Sequence, residues 1–153
     1  MDWKGCLNNR EAKQLKPDLE MAKSLQETSA NKMISSNELK LRLETVGAKI
    51  SLSYDAVREL LESVSLKNGF KIYNHVCYTA FLKEVLKQSD LSEEFDDLRK
   101  VRNDINYYGK SVSVEEAREI LSRLDALLKK LRNFLFFVKD EVKFLRNGLG
   151  ELI

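Results

Sequence analysis

Residues 113–147, SVEEAREILSRLDALLKKLRNFLFFVKDEVKFLRN, carry the pattern that decides the fold class of this chain. Apolar side chains recur at alternating steps of three and four residues, which places them along one face of a helix. They are Val114, Ala117, Leu121, Leu124, Leu128, Leu131, Leu135, Val138, Val142, Leu145 and Leu149. At ~1.5 Å per residue the helix would be roughly 50 Å long. Ser113 and Glu116 form a capping box at its start. The stretch therefore predicts a long C-terminal helix.

The distal part of this predicted helix carries several phenylalanines, namely Phe134, Phe136, Phe137 and Phe144. Such a group needs another surface to cover it, because a large exposed aromatic patch usually marks an interface. We expect either the N-terminal arm or a second subunit to provide that cover.

Composition agrees with a helical protein of one domain. The chain has 153 residues, of which 43% are hydrophobic and 33% charged, with 6 glycines and 1 proline. So few helix breakers favour long helices over strands. The sequence predicts an all-α, up-and-down bundle of about five helices in a single domain over residues 1–153. The net charge of +2 neither indicates nor excludes a nucleic-acid partner.

The N-terminal half is predicted to form an arm followed by two helices. Residues 1–15 read as an arm anchored by Trp3, with a turn at residues 8–10. Pro17 fits the first position of a helix that extends to about residue 33. Residues 35–38, SSNE, read as a capping box for a second helix, which Asn68 and Gly69 would close. The apolar stripe of that helix is Leu39, Leu43, Val46, Ile50, Tyr54, Val57, Leu61 and Val64.

Two further helices are predicted before the C-terminal one. Residues 71–88 are apolar or aromatic nearly all round, which is typical of a buried central helix. The single histidine, His75, lies there and is interpreted as a core residue. A break at residues 89–90 precedes a helix over residues 91–108.

The cysteines and the hydropathy pattern suggest an intracellular protein. Cys6 and Cys77 are far apart and form no C-x-x-C pair, so we expect free thiols and no metal site. There is no signal-peptide pattern and no run of ~18 apolar residues, so we expect no membrane span and a cytoplasmic location. No cofactor-binding motif occurs.

Polar chemistry is concentrated in residues 95–110, FDDLRKVRNDINYYGK. Its predicted buried stripe is Phe95, Leu98, Val101, Ile105 and Tyr108. Arg102 falls on or beside this stripe, and a buried charge is costly without a partner. Asn106 shares its face, and Asn103 and Tyr107 form a neighbouring pair. Arg102 is therefore either a structural brace or part of a phosphate-binding pocket.

The motif RNDINYYGK, residues 102–110, resembles the signature of the HEPN (higher eukaryotes and prokaryotes nucleotide-binding) domains. Residues 53–86 resemble the middle helices of that family, and residues 3–26 resemble the start of its small archaeal members. The resemblance implies a five-helix homodimer that works on RNA or with nucleotide-related partners. It also implies a toxin–antitoxin or defence system and a minimal nucleotidyltransferase (MNT) as partner.

The family motif has a histidine where this chain has Tyr107. Tyrosine ionises near ~10 and histidine near ~6.5, so a tyrosine is a poor general base at neutral pH. By the motif, Arg102 would bind phosphate and Asn103 would orient it. Tyr107 would donate its hydroxyl proton, and Tyr108 would pack inward.

Three hypotheses remain open. One is a binding module that uses Arg102, Asn103, Asn106, Tyr107 and Tyr108. Another is a metal-independent ribonuclease whose catalytic residues are Arg102, Asn103 and Tyr107. The third is a purely structural interaction module, in which Arg102 is only a brace.

Overall fold

The computed structural model describes the backbone of residues 1–152 and the side chains of residues 1–135. It confirms an all-α helical bundle with a long C-terminal helix. Six α-helices are present in this part of the chain: α1 (Trp3–Asn8), α2 (Leu19–Glu38), α3 (Val46–Lys67), α4 (His75–Ala80), α5 (Ser89–Tyr108) and α6 (Val114–Leu152). A π-helical turn, Phe81–Val85, continues α4. Strands β1 (Ala12–Gln14) and β2 (Phe70–Ile72) form the two-stranded sheet.

Helix α3 lies at the centre of the bundle. It packs along α2 in antiparallel fashion, since Ser36 contacts Ser53 while Ser63 donates to the Ala22 carbonyl. Helix α6 covers another side of α3. The core side chains of α3 include Ile50, Tyr54, Val57, Leu61 and Val64, as the periodicity predicted.

The prediction that residues 35–38 start a helix is wrong, because these residues form the last turn of α2. Ser36 is buried and donates to the Lys49 carbonyl, while the Lys49 ammonium donates to the carbonyls of Ser36 and Leu39. These long-range bonds satisfy the helix end. The predicted stripe therefore fails at Leu43, which lies exposed in the loop before α3.

Pro17 is not the first residue of α2 either. Asp18 is the N-cap, and its carboxylate accepts a hydrogen bond from the Met21 amide at 2.9 Å. An aspartate at this position satisfies a helix donor that a proline at N1 would leave to another partner.

The predicted helix over residues 71–88 begins four residues late, because the chain first forms β2. Asn68 and Gly69 close α3 as predicted, with Gly69 at φ +83°. The chain then pairs antiparallel with the arm, Ala12 opposite Ile72. The scarcity of helix breakers gave no sign of this short sheet.

The arm is fastened to the bundle, and the prediction of free thiols is wrong. Trp3 packs against Phe70 and Phe81, at 5.1 and 5.7 Å between ring centroids. Cys6 and Cys77 form a disulfide across 71 residues of sequence. The pairing of β1 with β2 brings α1 beside α4, and sequence spacing could not predict that approach.

Helix α6 confirms the C-terminal prediction over the described side chains. The Ser113 hydroxyl accepts from the Glu116 amide at 3.1 Å. The buried side chains of α6 are Ala117, Leu124, Leu127, Leu128, Leu131 and Leu135. Phe134 packs half-buried against the core, whereas the prediction for Phe136, Phe137 and Phe144 lies outside the described side chains. Within the described part of the chain, no helix has the length and apolar character needed to cross a bilayer.

Candidate functional site

A polar cleft of about 500 Å³ opens between the arm, the start of α4 and the second half of α5. Three arginines and one carboxylate are among its lining residues, so the lining is positively charged. The lining comprises Arg10, Glu11, Tyr73, Asn74, His75, Val76, Arg99, Arg102, Asn103 and Tyr107.

Arg102 is held in this cleft by aromatic rings. Its side chain is 16% exposed, and its guanidinium carbon lies 5.2 Å from the Tyr54 ring centroid and 5.8 Å from that of Tyr107. The nearest carboxylate, Asp55, is 3.8 Å away, which is beyond hydrogen-bond distance. Arg102 Nε is buried and has no hydrogen-bond partner among the described residues. A buried donor in this state is rare in native proteins and often indicates a ligand.

His75 comes from α4 and lines the same cleft. Its Nδ1 lies 3.0 Å from the hydroxyl oxygen of Tyr54, the ring that stacks on Arg102. Burial lowers the pKa of His75, and the positive charges of Arg58 and Arg102 lower it further. Burial also raises the pKa of Tyr54 to about 12. At neutral pH, therefore, the imidazole is uncharged and the phenol keeps its proton.

The arm is positioned against the cleft by a group of polar contacts around Glu11. Asn74 caps α4 by accepting from the Val76 amide at 2.9 Å, and its amide nitrogen donates to the Glu11 carboxylate at 3.2 Å. The Tyr73 amide donates to the Glu11 carbonyl at 2.8 Å. These bonds, with the adjacent disulfide, fix Arg10 at the edge of the cleft.

Arg99 is the best-neutralised arginine of the cleft. Its Nε and NH2 groups donate to one oxygen of Asp96, at 3.2 and 2.8 Å. Burial opposes ionisation of Asp96, but hydrogen bonds from Arg99 and Lys100 outweigh it, so the pKa of Asp96 is lowered. Asp96 therefore remains charged and holds Arg99 in place, which leaves Arg102 as the arginine most in need of an anion.

The structure brings Arg102, Asn103 and Tyr107 together in the cleft, but not Asn106 and Tyr108. Asn106 accepts from the Ser51 hydroxyl at 3.2 Å, at the contact with α3. Tyr108 is 80% exposed, so the prediction that it packs inward is wrong. Helix α5 ends there at Gly109, which adopts the left-handed conformation as predicted. The last turn lacks a covering surface among the described side chains, and the apolar stripe therefore stops early.

Sequence reasoning missed the residues that other segments contribute, above all Tyr54, His75 and Arg10. His75 does have a hydrogen-bond partner, as expected of a core residue, yet it is half-buried and lines the cleft. The sequence signal for it was its place at the start of a helix after an asparagine cap. That signal reveals no contact with Arg102, which lies 27 residues further along the chain.

No protein-family model, curated protein or solved structure matches the chain. The HEPN resemblance therefore stays a prediction. In the part of the chain that is described, no group of three or more His, Cys, Asp or Glu side chains is placed to hold a metal ion. A functional proposal for this chain rests on the contacts of the cleft.

Proposed function

We propose that this chain is a HEPN-type binding module for RNA or a nucleotide, with a phosphate group held at Arg102. The observation that supports this function best is the state of Arg102. The side chain is mostly buried and stacked between two tyrosine rings, and its Nε has no hydrogen-bond partner in the described chain. The planar guanidinium matches the geometry of phosphate oxygens.

The surroundings of Arg102 favour an anionic ligand over a cationic or neutral one. Arg10 and Arg99 line the same cleft, and Glu11 is the single carboxylate among the lining residues. The Glu11 carboxylate already accepts from Asn74. The exposed Tyr107 ring offers a stacking surface for a base beside the phosphate site. A ligand that combines a phosphate with an aromatic base therefore fits the chemistry of the lining.

The test is calorimetric titration with adenosine monophosphate and with a short RNA oligonucleotide. Arg102→Ala is expected to abolish binding of both ligands. Arg118→Ala is the matched control, because Arg118 lies on the exposed face of α6 and pairs only locally with Glu115. If Arg102→Ala binds like the wild type, or only lowers stability, the purely structural interpretation replaces this one.

A second function, metal-independent cleavage of RNA, is favoured by the position of His75. The imidazole is neutral at neutral pH and lies in the cleft that contains Arg102. It would accept the proton of a ribose 2′-hydroxyl as that oxygen attacks the phosphorus. The bond from phosphorus to the 5′-oxygen would break, and that oxygen would take a proton from Tyr107 or water. Arg102 would stabilise the charge on the phosphoryl oxygens.

This second function is tested by an RNA cleavage assay in EDTA. Cleavage lost in both His75→Gln and Arg102→Ala would establish it with His75 as the base. Loss in Tyr107→Phe but not in His75→Gln would instead assign the role of the family histidine to Tyr107. An absence of cleavage by the wild-type protein would leave the binding module alone.

The homodimer and the nucleotidyltransferase partner stay predictions of the resemblance. A second copy that met α5 would bring two Arg102 sites near one another. Light scattering during size-exclusion chromatography measures the mass directly, and a monomer at all concentrations would contradict the dimer.

A further inference from the structure

A second groove, of about 530 Å³, adjoins the cleft on the side of the arm. Arg10 and Tyr73 line both the groove and the cleft. The two depressions are therefore continuous, with these residues at their junction. On the far side of the junction the groove carries Lys13 and Gln14 of β1. Along the combined path the basic residues are Arg102, Arg99, Arg10 and Lys13, and the one carboxylate is Glu11.

Tyr73 presents an aromatic ring at this junction. The residue follows β2 directly, and its amide is fixed by the Glu11 carbonyl at 2.8 Å. Its ring is 61% exposed, although the backbone beneath it is ordered by the sheet. A fixed backbone with an exposed ring is a suitable platform for stacking a nucleobase.

Arg10 occupies a backbone position that usually belongs to glycine. It follows the C-cap of α1 with φ +59°, in a Schellman motif. In this motif the Glu11 amide donates to the Cys6 carbonyl at 2.9 Å and the Arg10 amide to the Leu7 carbonyl at 3.2 Å. A non-glycine residue pays a conformational penalty in this region. Such strain is concentrated at functional sites, which suggests a role for the arginine side chain.

The charges at the junction are also unpaired. Among the described residues, no ion pair involves Arg10 or Lys13. Elsewhere in the chain, lysines and arginines of comparable exposure pair with carboxylates, as Lys129 does with Asp125. Two unpaired cations beside an exposed ring match the spacing of charge and base along a nucleic-acid strand.

We propose that the cleft and the groove together form one track for a single-stranded polynucleotide, with a second subsite at Tyr73, Arg10 and Lys13. This inference rests on the proposed function, because one phosphate of the strand sits at Arg102. The next base stacks on Tyr73, and the following phosphate contacts Arg10 and Lys13. A single strand is required because a paired base has no free face for the tyrosine.

The test uses fluorescence anisotropy with oligoadenylates of one to eight nucleotides and with a duplex of eight base pairs. For the wild-type protein, affinity is expected to rise at least tenfold from the mononucleotide to the tetranucleotide. Tyr73→Ala is expected to lose roughly tenfold on the tetranucleotide and nothing on the mononucleotide. Arg10→Ala is expected to lower the slope of log affinity against log salt by about 0.7, as for one phosphate contact.

The matched control is Tyr108→Ala, because Tyr108 is also an exposed tyrosine but lies outside both depressions. Mononucleotide binding that depends on Arg102 but gains nothing with strand length would overturn the track and leave the proposed function standing. Equal losses in Tyr73→Ala and Tyr108→Ala, or tighter binding of the duplex, would also overturn it. If none of the ligands binds, both the track and the proposed function fail.

Discussion

Two arginines of this chain are largely buried in very different surroundings. Arg58 on α3 lies in a network in which Glu62 pairs with Arg58 and Lys71, while Glu59 pairs with Lys32. Arg102 on α5 has a single carboxylate, Asp55, at 3.8 Å and otherwise contacts rings. The chain therefore pairs its buried charges where they connect helices and leaves one underpaired in the cleft. The contrast indicates that Arg58 serves stability and Arg102 serves binding.

Breaking the disulfide should have the largest effect on stability. Loss of a crosslink that closes a loop of 71 residues is expected to cost about 4 kcal/mol through the entropy of the unfolded chain. Urea denaturation of the Cys6→Ala, Cys77→Ala double variant, compared with the wild-type protein, measures this difference. Because the arm forms one wall of the cleft, ligand affinity should also fall. Unchanged affinity would show that the arm is not needed at Arg102.

The charge network should be next in magnitude. Glu62→Ala leaves Arg58 and Lys71 without their shared carboxylate, and loss of one partner of a buried pair is expected to cost about 3 kcal/mol. Ligand affinity should not change, because none of these residues lines the cleft. Denaturation and calorimetry on the same variant test both statements. A loss of affinity without a loss of stability would remove the contrast between the two arginines.

Arg102→Met should reverse this pattern. The variant removes a buried donor that lacks a partner and keeps an apolar side chain of similar length, so the free energy of unfolding is expected to change by less than about 1 kcal/mol. Binding of phosphate ligands should be lost. Asn103→Ala against Asn106→Ala sharpens the result, since only Asn103 lines the cleft. A large destabilisation by Arg102→Met would make Arg102 a brace like Arg58.

Arg10→Gly should stabilise the fold slightly while weakening the binding of long strands. Relief of the left-handed backbone at φ +59° is expected to raise the unfolding free energy by about 0.5 kcal/mol, after the greater flexibility of glycine in the unfolded chain is subtracted. Thermal unfolding and anisotropy measure the two opposed effects. A destabilised Arg10→Gly variant would show that the side chain is retained for packing.

The smallest effect concerns His75 and pH. Its pKa in the folded state lies below the ordinary value of ~6.5. The unfolded chain therefore binds a proton more readily, and the stability that His75 contributes is present above pH ~6.5 and is lost as pH falls. The charged groups around it are Arg58, Arg102, Asp55 and Arg99. His75→Gln should lessen the fall in unfolding free energy between pH 7.5 and 5.5, and an identical fall in both proteins would contradict the shift.

What could be predicted from sequence follows the range of the interactions involved. The seam of α6 and the end of α5 at Gly109 depend on neighbours within a few turns, and both were predicted. The grouping of Arg102, Asn103 and Tyr107 is also local to one helix.

The rest depends on contacts between distant segments. Ser36 is a good helix cap in isolation, but its bonds to Lys49 and Ser53 place it at the end of α2. The disulfide and the approach of His75 to Arg102 arise in the same way, from how the arm, α4 and α5 meet. Periodicity contains no information on such meetings, which is why the cleft was only half predicted.

The packing of Trp3 has a practical consequence. It is the only tryptophan of the chain, and it lies on the arm between Phe70 and Phe81. Its emission maximum and quenching by iodide therefore report how the arm is seated, without any label. The same cuvette that holds a reductant or an oligonucleotide can follow the arm in real time, and its signal is confined to one end of the molecule.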